Sequence, residues 1–294
     1  MQPSIQPHTR LAAATFALIA FLMVLYHVHW AGTPKPLAPA EAAKLREESQ
    51  ALQRAGKWDQ ALEPTLRLAR NFPENSIYIG DLARIYHHLQ KYREEAARWE
   101  QFLDRAPTPV EACPQIGQAY AKQGLSKQAQ GAFERCLALD PGNPDSLFYL
   151  AHIYEQTGEL AKAEQLYRKG GELRPRYTDF PIGLGRVLLR KGEPGAAREL
   201  AAKVLDQSPD NGDALFVMGT ACRRLGEIAA ARRYFELGVQ RQSGDPDLHL
   251  ALAQVAEQDN DVATAALHYQ RVVDLDGSNT EASAGLVRIR RVHP

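Results

Sequence analysis

The sequence is short of the residues on which small cross-linked domains and metal centres depend. It has three cysteines in 294 residues, Cys113, Cys136 and Cys222, and no Cys-x-x-Cys. A disulfide framework and a cysteine-based zinc or redox motif are therefore excluded. Net charge is also missing, since 35 basic residues balance 35 acidic ones, and nothing global draws the chain to nucleic acid. The histidines, including the adjacent pair His87 and His88, never bring three or four ligands together, so no metal is expected. Gly183-Leu184-Gly185 falls within a helical pattern rather than after a strand, which removes the one candidate nucleotide loop. No nucleophile, base and orienting group share a spacing that chemistry would need. The expectation is a protein without cofactor or catalytic site.

What is present is a period. Seven copies of a 34-residue pattern run without insertion or deletion over residues 42–279, starting at Ala42, Ser76, Val110, Pro144, Thr178, Gly212 and Pro246. A fixed period of this length marks a stacked repeat array. Position 8 is small throughout (Ser49, Ala83, Gly117, Ala151, Gly185, Gly219, Ala253), and position 20 is alanine except for Glu95. Positions 4, 7 and 11, as in Leu147, Leu150 and Tyr154, place apolar side chains on one helical face. A second such face falls at positions 20, 24 and 27. Position 15 is glycine in five repeats, with Gln90 and Asn260 in the other two, and suits the left-handed residue that ends a helix. Position 32 is proline in the first five repeats and stops the second helix. Each repeat thus reads as a helix hairpin. Repeat 1 departs from the pattern with Glu48 at an apolar position and Pro64 inside its second helix, which predicts a kinked or shortened helix.

The pattern resembles the tetratricopeptide repeat family. The likeness is carried by Leu-Ala-x-x-Tyr (Leu82 to Tyr86, Leu150 to Tyr154), Ile-Gly-x-x-Tyr (Ile116 to Tyr120), the alanines at position 20, the aromatic residues at position 24 (Trp99, Phe133, Tyr167, Phe235, Tyr269) and the terminal prolines. The resemblance implies an all-α, right-handed superhelix of seven helix hairpins (42–75, 76–109, 110–143, 144–177, 178–211, 212–245, 246–279) whose concave groove takes protein or peptide partners. Residues 280–294 read as a capping helix and tail, with Leu286 and Val287 inward and Arg288, Arg290 and Arg291 outward.

The N-terminus differs in kind. Residues 1–10 are polar, and residues 11–30 are apolar over about the 20 residues that a membrane-crossing helix needs. Tyr26, His27, His29 and Trp30 suit the headgroup zone. No small-x-small cleavage site lies close behind the apolar run, so the segment reads as an uncleaved signal anchor. Arg10 on its short side keeps the N-terminus cytoplasmic and places the repeats on the extracytoplasmic side, in a periplasm if the source is bacterial. Residues 31–41, with Pro34, Pro36 and Pro39, read as an extended tether.

By the family's geometry, positions 2, 5, 6, 9, 12 and 13 of each first helix face the groove. Position 5 supplies Phe148, Ile182, Phe216 and Leu250, and position 6 supplies Tyr149 and Val217. Near them stand His152, Arg186, Arg190, Arg223 and Arg224. An apolar floor rimmed by arginine suits a peptide with apolar anchors and acidic character. The competing reading is that the position-5 residues serve the stack. The Lys and Asn set with which chaperone-binding relatives grip a C-terminal carboxylate is absent. Cys113 and Cys136 occupy positions 4 and 27 of one repeat, neighbours in an antiparallel hairpin. They are either a disulfide closing about 24 residues or two buried hydrophobes. The functional expectation is a non-enzymatic, membrane-tethered scaffold in envelope assembly, of the cytochrome c maturation, pilus or secretion, or polysaccharide export type. The alternatives are a regulatory or substrate-binding subunit of an enzyme complex such as a glycosyltransferase, and a self-assembling scaffold.

Overall fold

The computed structural model describes residues 36–106, 110 and 112–292, and the described residues hold fifteen α-helices and no strand. Repeat 1 is α1 (Pro39–Arg54) and α2 (Trp58–Asn71), repeat 2 is α3 (Ser76–His88) and α4 (Tyr92–Leu103), and repeat 3 is α5 (Cys113–Lys122) and α6 (Ser126–Leu139). Repeats 4 and 5 are α7 (Pro144–Thr157), α8 (Leu160–Leu173), α9 (Asp179–Lys191) and α10 (Pro194–Gln207). Repeats 6 and 7 are α11 (Gly212–Arg224), α12 (Ile228–Arg241), α13 (Pro246–Gln258) and α14 (Val262–Leu275), and α15 (Thr280–Val292) follows. The chain forms two compact units whose boundary, between Ala119 and Tyr120, falls within α5.

The local causes match the period. Gly56, Gly124, Gly158, Gly192 and Gly226 all have φ between 69° and 84°, and Gln90 and Asn260 take the same left-handed turn at 56° and 58°. A side chain in that region costs about 1–2 kcal/mol, and glycine gives part of the gain back as chain entropy. Gln90→Gly is therefore expected to stabilise by about 0.5–1 kcal/mol, read as a higher urea midpoint at unchanged slope. Position 34 supplies a cap that the period alone did not point to. Asn143 and Asn211 each accept the amide N–H three residues on, at 2.9 Å, while Asn75 caps α3 by accepting from Ile77, two residues on, and Asp245 caps α13 by accepting from both Asp247 and Leu248.

Within the second unit, α7, α9, α11 and α13 contact one another in order and form one layer. The small residues at positions 8 and 20 are buried, which lets the hairpins within each unit close. Glu95 is the one charged occupant of these slots, and it too is buried.

Three expectations need correction. Pro64 lies inside α2 without shortening it, for that helix runs 14 residues, as do the second helices of repeats 3 to 7. The first helix starts at Pro39, inside the segment read as a tether, because proline is well placed in a first turn where no amide partner is needed. In α15 the inward residues are Ala282, Gly285 and Ile289 with Leu286 half-buried, whereas Val287 is 47% exposed. The expected anchor at residues 11–30 lies outside the described residues. Among the described residues no helix is long and apolar enough to cross a membrane.

Candidate functional site

All eleven residues expected in the groove lie on the first helices of repeats 4 to 7, within the second unit. The structure sorts them by burial. Ile182 and Val217 are 3% and 1% exposed and belong to the core, so for these two the packing reading holds. Val217 fills the space left by the missing side chain at Gly185, where a Cβ would lie 2.9 Å from Val217 Cγ1. Phe148 and Tyr149 are half-buried and engaged by neighbouring rings. The Phe148 ring packs edge-on against Tyr167 and Phe180, at centroid distances of 6.0 and 6.1 Å. Tyr149 stacks on Phe133 at 5.5 Å. Burial, helped by Asp145, raises the Tyr149 phenol above its ordinary range. These two aromatics join repeats 3, 4 and 5 rather than forming an open floor.

Arg186, Arg190, Phe216, Arg223 and Leu250 do come together. With Arg224 they line one hollow of about 330 Å³ across α9, α11 and α13. Phe216 and Leu250 are half-buried in it. A larger hollow, about 410 Å³, lies among α8, α9 and α10, but its cations Arg168, Arg174 and Lys203 are all exposed. In the hollow on the first helices Arg186 and Arg223 are half-buried, so their charge acts through less water.

One edge of this hollow is closed by a network that crosses from repeat 4 to repeat 5. Glu155 is buried at 7% exposure. It accepts from Arg186 Nε at 3.1 Å, Arg186 Nη2 at 3.3 Å and the Tyr167 hydroxyl at 3.0 Å. His152 Nδ1 stands 3.7 Å from the same carboxylate. Burial alone would raise the Glu155 carboxyl, but His152, Arg186 and Tyr167 outweigh it and hold the group at about 2. The Tyr167 phenol is pushed up, first by burial and then by Glu155. Arg190 donates to the backbone carbonyl of Glu155, and Arg224 repeats the contact one repeat on, donating to the carbonyl of Leu189.

Position-by-position reading of the sequence missed three polar clusters. Glu257, Tyr269 and Arg288 repeat the Glu155 arrangement at the repeat 7 to α15 interface, with Arg288 Nε and Nη2 at 3.0 and 2.8 Å from the carboxylate and the Tyr269 hydroxyl at 2.6 Å. His249, buried at 4% exposure, donates from Nε2 to the Ser243 carbonyl at 3.0 Å. Its Nδ1 then accepts from His268 Nδ1–H at 2.8 Å. Burial and the neighbouring His249 push the His268 imidazole down. In the first unit His87 and His88 are exposed, as expected of solvated residues, yet His87 Nδ1 lies 3.1 Å from the buried Glu95 and His88 stacks on Trp58 at 3.7 Å. Burial raises the Glu95 carboxyl against the opposing pull of His87. Cys113, Cys136 and Cys222 are buried. Among the described residues no group of three or more potential ligands could hold a metal ion.

Two tetratricopeptide repeat models match the chain, one over residues 115–175 and one over residues 188–255. Over those two stretches the chain is similar to tetratricopeptide repeats. A crystal structure of a tetratricopeptide repeat protein from Parabacteroides merdae matches 85% of this chain and 98% of its own, with a TM-score of 0.71 and 15% identity. At that identity the likeness speaks for the fold alone. Cellulose synthase operon protein C of Pseudomonas fluorescens is 32% identical over 97 residues, which is 33% of this chain and 8% of that protein. Cytochrome c-type biogenesis protein CycH of Rhizobium meliloti is 33% identical over 97 residues, 32% of this chain and 26% of that protein. The match thus spans about a quarter or less of the length of these relatives. Tetratricopeptide arrays generally serve as non-catalytic scaffolds for protein interaction.

Proposed function

We propose that this chain is a non-enzymatic scaffold that holds protein partners for the assembly of an envelope complex, through the first-helix face of repeats 5 to 7. The observation that carries the reading is the hollow across α9, α11 and α13, with the half-buried Phe216 and Leu250 among arginines. Phe216 meets the Phe235 ring at a centroid distance of 6.1 Å, yet it and Leu250 stay only half-buried, and apolar side chains left at a concave, positively charged place are what a peptide anchor needs. The names of the two relatives, one in cellulose synthesis and one in cytochrome c biogenesis, fit an envelope setting. In this reading residues 11–30 anchor the chain and the repeats stand on the extracytoplasmic side.

A photo-crosslinking amino acid placed at Leu250 tests this in cells, with the same group at the exposed Leu237 of α12 as control. We expect discrete adducts from position 250 that disappear with Phe216→Ala, and none from position 237. Phe148→Ala is unsuited as a groove variant, since its ring packs on Tyr167 and Phe180. Equal adducts from both positions, or adducts indifferent to Phe216→Ala, would remove this face as the binding surface.

A further inference from the structure

The two Glu–Tyr–Arg networks occupy the same slots. In each, glutamate is at position 12 and tyrosine at position 24 of one repeat, and arginine is at position 9 of the next: Glu155, Tyr167 and Arg186, then Glu257, Tyr269 and Arg288. Between these two closed interfaces lie two others that do not carry the network. From repeat 5 to repeat 6 the slots hold Leu189, Ala201 and Thr220. From repeat 6 to repeat 7 they hold Arg223, Phe235 and Gln254, so a cation stands where the acid belongs and a neutral amide stands opposite.

The chain does not complete this reversed pair with a carboxylate at the opposing slot. Arg223 Nη1 donates to Gln254 Oε1 at 2.6 Å, and Gln254 passes its own amide hydrogen to Glu281 at 2.6 Å. Burial and the adjacent Arg224 push the Arg223 guanidinium down from its ordinary range, with Glu281 and Tyr269 opposing them. Arg190 and Arg224 spend one N–H each on backbone carbonyls, which balance no charge. Of the acids lining the hollow, Glu155 is taken by Arg186. Asp247 lies on α13 near Asp245, and burial together with that neighbour raises its carboxyl. The four arginines thus outnumber the two carboxylates. A guanidinium offers five donors in a planar fork, matched to the two oxygens of a carboxylate.

We propose that this hollow recognises an acidic side chain within a peptide, whose carboxylate sits at Arg223 and Arg224 in the role that Glu155 and Glu257 play at the closed interfaces. A neighbouring apolar side chain of the same peptide lies over Phe216 and Leu250. The proposal rests on the scaffold reading above and gives it a ligand chemistry. It also accounts for the position of the hollow, which opens where the closing network is interrupted.

Fluorescence polarisation of the full-length chain against fluorescein-labelled nonapeptide pools tests it. The pools are amidated at the C-terminus, so no terminal carboxylate competes, and their central pair is fixed as Glu-Phe, Gln-Phe, Glu-Ser or Gln-Ser. The Glu-Phe pool is expected to bind tightest and the Gln-Phe pool roughly tenfold more weakly, the usual loss for one charge-assisted contact. Arg223→Gln should abolish the preference for Glu over Gln while keeping that for Phe over Ser, and Phe216→Ala should do the reverse. Arg224→Gln, at a more exposed position, should reduce the Glu preference and serves if Arg223→Gln disturbs the stack. A preference for Phe with none for Glu overturns the carboxylate site and leaves the groove standing. A Glu preference that both arginine variants retain also overturns it. Equal or absent binding by all four pools overturns the groove reading together with the site.

Discussion

Arg186→Ala is expected to lower stability by about 3–5 kcal/mol, because it strands a buried carboxylate rather than merely removing a contact. The Glu155 side chain is 9% exposed and Arg186 30%. The matching pair at the end of the array is wetter, with Glu257 at 32% and Arg288 at 53%. Arg288→Ala, the same change in the same slot, should therefore cost only about 0–1 kcal/mol. The pH dependence separates charge from packing. In the native chain the Glu155 carboxyl is held at about 2, below its ordinary 4.5. A depressed carboxyl contributes stability that is complete above its ordinary value and drains away as pH falls toward 2. Without Arg186 the largest influence on Glu155, burial, is no longer outweighed in the same way, and the group moves upward. Protonation then relieves the variant, so its deficit relative to the native chain should shrink between pH 7 and pH 4. Urea unfolding of both variants at both pH values measures this. Equal deficits for Arg186→Ala and Arg288→Ala, or a deficit unchanged by pH, would show that the network contributes little through its charge.

That network was written in the sequence, but not within one repeat. Glutamate at 12, tyrosine at 24 and arginine at 9 of the following copy recur twice, and a reading that aligns positions inside each copy never pairs them. What could be read were features decided by the backbone: the period, the helix pairs, the left-handed turn at position 15 and the small residues at 8 and 20. Their demands are local, so the residue type alone shows them. The site was half legible. Position arithmetic placed Arg186, Arg190, Phe216, Arg223 and Leu250 together, and they line one hollow. It failed for Val217, because the direction of that side chain is set by the gap at Gly185 in the preceding repeat. It failed for Phe148 in a similar way, since the rings that engage it come from α8 and α9. His249 takes position 4, where the other repeats place leucine, isoleucine, cysteine or proline, and its partner His268 is 19 residues away. No periodic signal distinguishes such a pair from two solvated histidines.

Size complementarity between successive copies yields an equally large effect. Position 27 of one repeat and position 3 of the next trade bulk at five of the seven junctions, Phe102 with Ala112, Gly170 with Phe180, Val204 with Ala214, Gly238 with Leu248, and Val272 with Ala282, whereas Leu68 meets Tyr78 as two large residues and Cys136 meets Ser146 as two small ones. Where the glycines stand, the contact is direct. A Cβ on Gly170 would lie 2.1 Å from the Phe180 ring, and one on Gly238 would lie 2.6 Å from Leu248. Phe180 is fully buried, with Tyr177 and Phe148 packed against it, so it has nowhere to retreat. Gly170→Val alone should overpack this interface and cost about 3 kcal/mol, the upper part of the usual range. Phe180→Ala alone should empty it and cost about 3–5 kcal/mol. Together the two changes recreate the Val204–Ala214 combination found one repeat later, with a total side-chain volume close to the original. The double variant should then be more stable than either single variant, with a coupling of about 3 kcal/mol or more in a double-mutant cycle. Thermal and urea unfolding of the four proteins gives the cycle directly. If the two costs simply add, position 27 and position 3 pack independently, and the alternation of large and small residues along the array is not what holds neighbouring repeats together.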